Sequence, residues 1–136
     1  MSAPVLSMGI GCKSGVTVNA IVDLAEEAFS RIDGRPIALF TAAEKQNEPA
    51  LGEAATRLGL PLVHLPRAAL EAAADRAVTR SERVIALFGV PSLAETAALA
   101  GAGPGSRLIL PRMSAGGVTC AVAAGALSDR MDSSDL

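Results

Sequence analysis

A chain of 136 residues fits one ordinary domain and is long enough to bury a sizeable core. Half of the residues are hydrophobic but only three are aromatic, all Phe, so the core must be built from Ala, Leu, Val and Ile. Twelve basic against fourteen acidic residues leave a formal net charge of −2, which argues against a general affinity for nucleic acid or an anionic membrane and makes any basic patch local.

The first stretch with character is Val5-Leu6-Ser7-Met8-Gly9-Ile10-Gly11-Cys12-Lys13-Ser14-Gly15. Its apolar run bounded by glycines reads as a buried strand turning into a loop. Val18, Ile21, Val22, Ala25, Ala28 and Phe29 then recur on one helical face, so a helix is predicted from Val18 to about Ser30, capped by Thr17 and ended by Asp33-Gly34. A strand end followed by a helix start is the usual place for a site in an open α/β sheet.

Pro36 to Phe40 reads as a second strand ending at Thr41, which places Thr41 at the same sheet edge as Gly11. The polar segment 43–49 leads into a helix carrying Leu51, Ala54, Ala55 and Leu58, with Pro49 in its first turn and Gly59 at its end. Leu60 to Leu65 is a third strand, and Arg67 to Val78 an alanine-rich helix with a thin apolar face. Ser81 to Phe88 suits either a strand or a two-turn helix capped by Ser81 and stopped by Gly89, with the helix preferred. Ser92 and Glu95 form a capping-box pattern for a helix to about Ala100. Arg107–Leu110 and Val118–Val122 read as an antiparallel hairpin with a longer loop containing Gly116-Gly117. Strands alternating with helices, then a late hairpin, predict a three-layer α/β/α domain over 1–127 with a mixed sheet of about five strands, the early ones parallel. Residues 128–136 read as a polar tail that frays.

Gly9-Ile-Gly11-Cys-Lys-Ser-Gly15 is one residue longer than the dinucleotide fingerprint, and no acidic residue ends the second strand. Its lysine precedes Ser14-Gly15, unlike the ending of a nucleotide P-loop, so no cofactor is expected. Lys13 beside free N–H groups favours an anion site over a plain tight turn. Cys12 has no nearby base to make it a nucleophile, and Cys120 is expected to pack in its strand. A single histidine, His64, with two separated cysteines supplies a metal site poorly, so none is expected. Glu48 suits a helix N-terminus or a side chain over the Gly11 loop, and the capping box alone accounts for Glu95. Arg112 offers a second cation or an ordinary solvated arginine. No basic n-region precedes an apolar stretch, and no run approaches the roughly 20 apolar residues of a membrane span, so a cytoplasmic protein is expected.

Four motifs in order, Gly9-Ile-Gly11-Cys12-Lys13 with Gly15, Lys45-x-x-Glu48-Pro49-x-Leu51, Gly89-Val90-x-Ser92-x-Ala94-Glu95-x-Ala97-Ala98-Leu99 and Thr119-Cys120-Ala121-Val122-Ala123, resemble the CobE family, which is also the C-terminal domain of the CbiG proteins of cobalamin biosynthesis. Asn47 and Ala50 depart from the Asp and Gly often found there. The resemblance implies a small α/β protein of corrin ring synthesis that binds a precorrin or hydrogenobyrinic-acid-type tetrapyrrole as an accessory or carrier protein. The alternative it carries is a cobalt-precorrin lactone-opening hydrolase, with Glu48 or Glu95 as base and Lys13 steadying the oxyanion. A third reading is an assembly partner of other corrin-pathway enzymes, bound through the alanine-rich helices. Corrinoid carboxylates call for N–H groups and cations around a broad cleft, and the expected ligand-binding set is Gly9, Gly11, Cys12, Lys13, Gly15, Thr41, Lys45, Glu48, Arg112 and Thr119.

Overall fold

The computed structural model describes residues 4–45 and 48–126, so the expected tail at 128–136 lies outside the described residues. Five strands, β1 (Leu6–Cys12), β2 (Leu39–Ala42), β3 (Leu62–Leu65), β4 (Arg107–Ala115) and β5 (Val118–Ala124), form one sheet in the order β3-β2-β1-β5-β4. The pairs β1–β2 and β2–β3 are parallel, whereas β1–β5 and β4–β5 are antiparallel, which is the expected mixed sheet. The helices are α1 (Val18–Phe29), α2 (Pro49–Leu58), α3 (Arg67–Ala73), α4 (Glu82–Phe88) and α5 (Leu93–Ala102).

Side-chain alternation along the strands sorts them into three layers. Leu6, Met8, Ile10, Leu39, Cys120 and Val122 face α1 and α2, where Ile21, Leu24, Leu51 and Leu58 complete the larger core. Ala38, Phe40 and Ala42 on the opposite face meet α3 and α5 through Leu70, Leu93 and Ala97. Ala121 and Ala123 pack there with Ala94 and Ala98. Small residues on both sides let α5 lie almost on the sheet. A Cβ on Gly9 would fall inside the Ala94 carbonyl and reach 2.5 Å from the Ala98 nitrogen, and one on Gly101 would reach 2.5 Å from the Phe40 ring. This is why a core so poor in aromatics still closes: backbone contact replaces side-chain bulk.

Several boundaries differ from expectation. Helix α1 stops at Phe29, with Ser30 closing it through hydrogen bonds to Glu26 and Ala28; Gly34, at φ 100°, belongs to the turn beyond. Strand β2 starts at Leu39 rather than Pro36, although the Ile37 N–H already donates to the Leu6 carbonyl at 2.9 Å. Leu60 donates to Ala55 to finish α2, which shortens β3 to Leu62–Leu65. Helix α3 tightens into a 3-10 turn at Ala74–Arg76 instead of running to Val78. The β4–β5 loop is not long: β4 extends to Ala115 and the turn is Gly116-Gly117, at φ 60° and 83°, which two-residue hairpins of type I′ require. Among the described residues no single helix is long and apolar enough to cross a membrane.

Candidate functional site

The carboxyl end of β1, the β4–β5 hairpin and α4 enclose a cleft of about 600 Å³. Gly11, Cys12, Lys13 and Ser14 form one wall, locked to the hairpin by the Lys13 N–H donating to the Gly117 carbonyl at 2.9 Å and the Thr119 hydroxyl to the Gly11 carbonyl at 3.5 Å. Arg112 enters from β4, where the ladder slips register between Leu110 and Met113. Arg83, Leu87 and Phe88 enter from α4, and Leu93 at the start of α5 adds apolar surface. Helix α4 forms because Ser81 accepts from the Val84 N–H and Gly89, at φ 76°, ends it. It buries no residue of its own, and Leu87 stays 56% exposed at the cleft.

The charge is one-sided. No carboxylate occurs among the described residues that line the cleft, while Lys13, Arg83 and Arg112 do. Elsewhere the described arginines other than Arg107 are engaged: Arg31 with Glu27, Arg57 with Glu53, Arg67 with Glu44, Arg80 with Glu82, Arg35 with the Leu58 carbonyl and Arg76 with Ser106. No side-chain ion pair involves Lys13, Arg83 or Arg112 among the described residues. Unpaired cations gathered around apolar surface bind anions through charge-assisted hydrogen bonds, Arg best to planar carboxylates.

Of the expected ligand-binding residues, Gly11, Cys12, Lys13, Arg112 and Thr119 come together here. Gly9 does not: it sits under α5, so its missing Cβ serves helix packing rather than ligand approach. Gly15 takes φ 80° in the loop before α1, exposed and just outside the cleft. Thr41 is fully buried inside the sheet rather than projecting from its edge. Lys45 ends the 3-10 turn after β2, at the same sheet edge. Glu48 occupies the N-cap position of α2 without a side-chain capping bond, also outside the cleft. Arg83 and the apolar α4 residues were not foreseen as site residues; their local sequence marks a short helix, and only the fold brings α4 over the end of β1.

Glu95 departs furthest from expectation. The Ser92 hydroxyl accepts from the Glu95 N–H at 3.3 Å, which is half of a capping box, but the carboxylate goes elsewhere. Its Oε1 accepts from the Val78 and Thr79 N–H groups at 2.9 and 2.8 Å, and its Oε2 from the Thr79 hydroxyl and the Arg112 N–H at 2.7 and 3.0 Å. Burial pushes the carboxyl pKa up, but the Arg112 N–H, Thr79 N–H and hydroxyl, and Val78 N–H outweigh it and hold it below its ordinary value. A carboxylate so engaged, and outside the cleft lining, is not placed to act as a base. Helix α5 is buried almost throughout, so of the two alanine-rich helices only α3 presents an outer face.

A family profile described as Cobalamin synthesis G C-terminus matches residues 6–123. The chain is 34% identical over 121 residues to Protein CobE of a Sinorhizobium species, covering 87% of this chain and 79% of that one. The crystal structure of CobE, a protein from the cobalamin (vitamin B12) biosynthetic pathway, superimposes with a TM-score of 0.79 at 30% identity, covering 91% of this chain and 94% of that chain. The structure of cobalamin biosynthesis protein chiG from Agrobacterium tumefaciens gives a TM-score of 0.72 at 34% identity, covering 90% and 100%.

Proposed function

This chain belongs to the cobalamin synthesis G C-terminus family and is a cobalamin biosynthesis protein, and from that premise we propose that its cleft binds a precorrin or hydrogenobyrinic-acid-type intermediate as an accessory or carrier protein. The observation that carries the reading is the set of unpaired cations, Lys13, Arg83 and Arg112, around one cleft without a lining carboxylate. A corrin precursor carries acetate and propionate carboxylates on its rim and an apolar ring system within. The cations meet the rim, and Leu87, Phe88 and Leu93 cover ring surface. A macrocycle of this class exceeds the cleft volume, so one edge enters and the rest stays at the surface, within reach of a receiving enzyme of the corrin pathway.

The lactone-opening alternative fits less well. Neither candidate base lines the cleft, since Glu95 is consumed by four donors and Glu48 heads α2. The test is a titration of the purified protein with hydrogenobyrinic acid followed by the ligand's visible spectrum, repeated with Lys13→Ala, Arg83→Ala and Arg112→Ala and at rising salt. Saturable binding weakened about tenfold by each change, with ligand mass unaltered, is expected. A lactone-bearing precorrin that changes mass on incubation with the protein alone favours the hydrolase. Absence of saturable binding to every corrin intermediate overturns both readings.

A further inference from the structure

We infer that Glu95 is the positioning residue of the cleft: its buried carboxylate ties the segment leading into α4 and the bulge carrying Arg112 to the start of α5, and so fixes Arg83 and Arg112 on two walls of one anion site. The inference rests on the reading of that cleft as a carboxylate site.

Its donors have nowhere else to go. Arg112 follows Pro111, which has no N–H, and lies where β4 slips register against β5, so the Arg112 N–H leaves the ladder and turns to Glu95 instead. Val78 and Thr79 lie between the 3-10 turn at Ala74–Arg76 and α4, outside any helix or strand, and both N–H groups end on the same carboxylate oxygen. The segment continues through Ser81, whose N–H donates to the Pro91 carbonyl at 2.8 Å, directly into α4 and Arg83. Helix α4 leans on the core only through the half-buried Val84 and Phe88, so its place over the cleft also depends on how its ends are tied. Arg67 holds the far end through the Leu87 carbonyl at 3.1 Å, and Glu95 holds the near one.

The chemistry requires a carboxylate. Four donors converge and no acceptor does, so an amide would turn its NH₂ against an N–H or compete for the hydroxyl whichever way it rotated. Glu95 also stands in the first turn of α5, where the helix dipole favours its charge.

The test compares Glu95→Gln, Arg112→Ala and the double variant, each checked for folding by circular dichroism. Glu95→Gln is expected to weaken hydrogenobyrinic acid binding about tenfold, and the double variant to lose less than the product of the two single losses. A folded Glu95→Gln protein that binds like the wild type overturns the inference. Nitrogen-15 relaxation of the ligand-free protein gives a second readout: the Val78, Thr79 and Arg112 amides should shift together, and the backbone amides of Arg83 and Arg112 should lose order. If the wild type fails to bind the corrinoid, the carrier reading falls, while the positioning inference stands or falls on whether those two backbone amides respond. Thr79→Val removes one donor and keeps the carboxylate. Should Glu95→Gln not fold, a severalfold loss of binding and reduced Arg112 order in Thr79→Val support the inference, and no change in either overturns it.

Discussion

Replacing Gly9 by alanine separates two explanations of the same glycine. If Gly9 serves a ligand, the substitution should weaken binding and leave the fold alone; if it serves packing, it should act on stability. The added methyl collides with backbone, the Ala94 carbonyl and the Ala98 nitrogen, and neither can swing away as a side chain would. Restoring an ordinary contact of 3.4 Å to the Ala98 nitrogen alone moves α5 outward by about an ångström, enough to forfeit a quarter to a half of each dispersion contact along its face. That face includes Ala94, Ala97, Ala98 and Leu99, all fully buried. Overpacking typically costs about 1–3 kcal/mol, and a clash with two backbone groups belongs at the upper end. With an unfolding entropy of about 2.1 cal/mol/K per residue over 136 residues, ~3 kcal/mol lowers Tm by about 10 °C. Thermal and urea unfolding followed at 222 nm measure it. Gly15→Ala is the control, since its φ of 80° costs about 1–2 kcal/mol but a methyl there meets nothing within 4 Å. A Gly9→Ala protein melting within about 2 °C of wild type would refute the packing argument.

Three other outcomes follow from the same contacts. Ser92→Ala removes a fully buried cap on α5 and should cost about 0.5–2 kcal/mol, read as a lower urea midpoint at unchanged slope. Because the folded Glu95 pKa lies below its ordinary value of 4.5, the unfolded chain binds more protons between the two values; the stability Glu95 contributes is complete above that range and is lost as pH falls through its folded pKa. Urea unfolding from pH 6 downward should therefore show a steeper loss for wild type than for Glu95→Gln, and parallel curves would contradict it. Burial pushes the Cys120 thiol up to about 12, so at pH 8 a thiol reagent should modify half-buried Cys12 first and Cys120 only on unfolding; equal rates for both would place Cys120 outside the core.

The strands and helices were legible because each carries a local signal: Thr17 and Ser92 cap, Gly59 and Gly89 stop, Pro49 starts. The order of strands was not, since nothing local states that the last strand pairs with the first. The site divided the same way. Lys13 and Arg112 are visible as cations after strand-like runs, but Arg83 reaches the cleft only because α4 crosses the end of β1, a tertiary fact. Gly9 misled because a glycine before a loop looks alike whether a ligand or a helix lies above it. Glu95 misled for a related reason: the S-x-x-E spacing places the backbone bond from Ser92 correctly, while the carboxylate answers to donors supplied by loops remote in sequence. Thr41 was placed on the right strand; the strand ending one residue later than expected put it inside the sheet.

The position of β5 also constrains how the chain is made. It lies between β1 and β4, and its register joins Leu6 to Ala124 and Cys12 to Val118, so the central ladder waits for segments from opposite ends of the described chain. Parallel pairing of β1, β2 and β3 can begin on the ribosome, but β1 keeps one open edge until Val118–Ala124 emerges. High contact order of this kind slows folding and leaves an aggregation-prone edge open until the partner strand arrives.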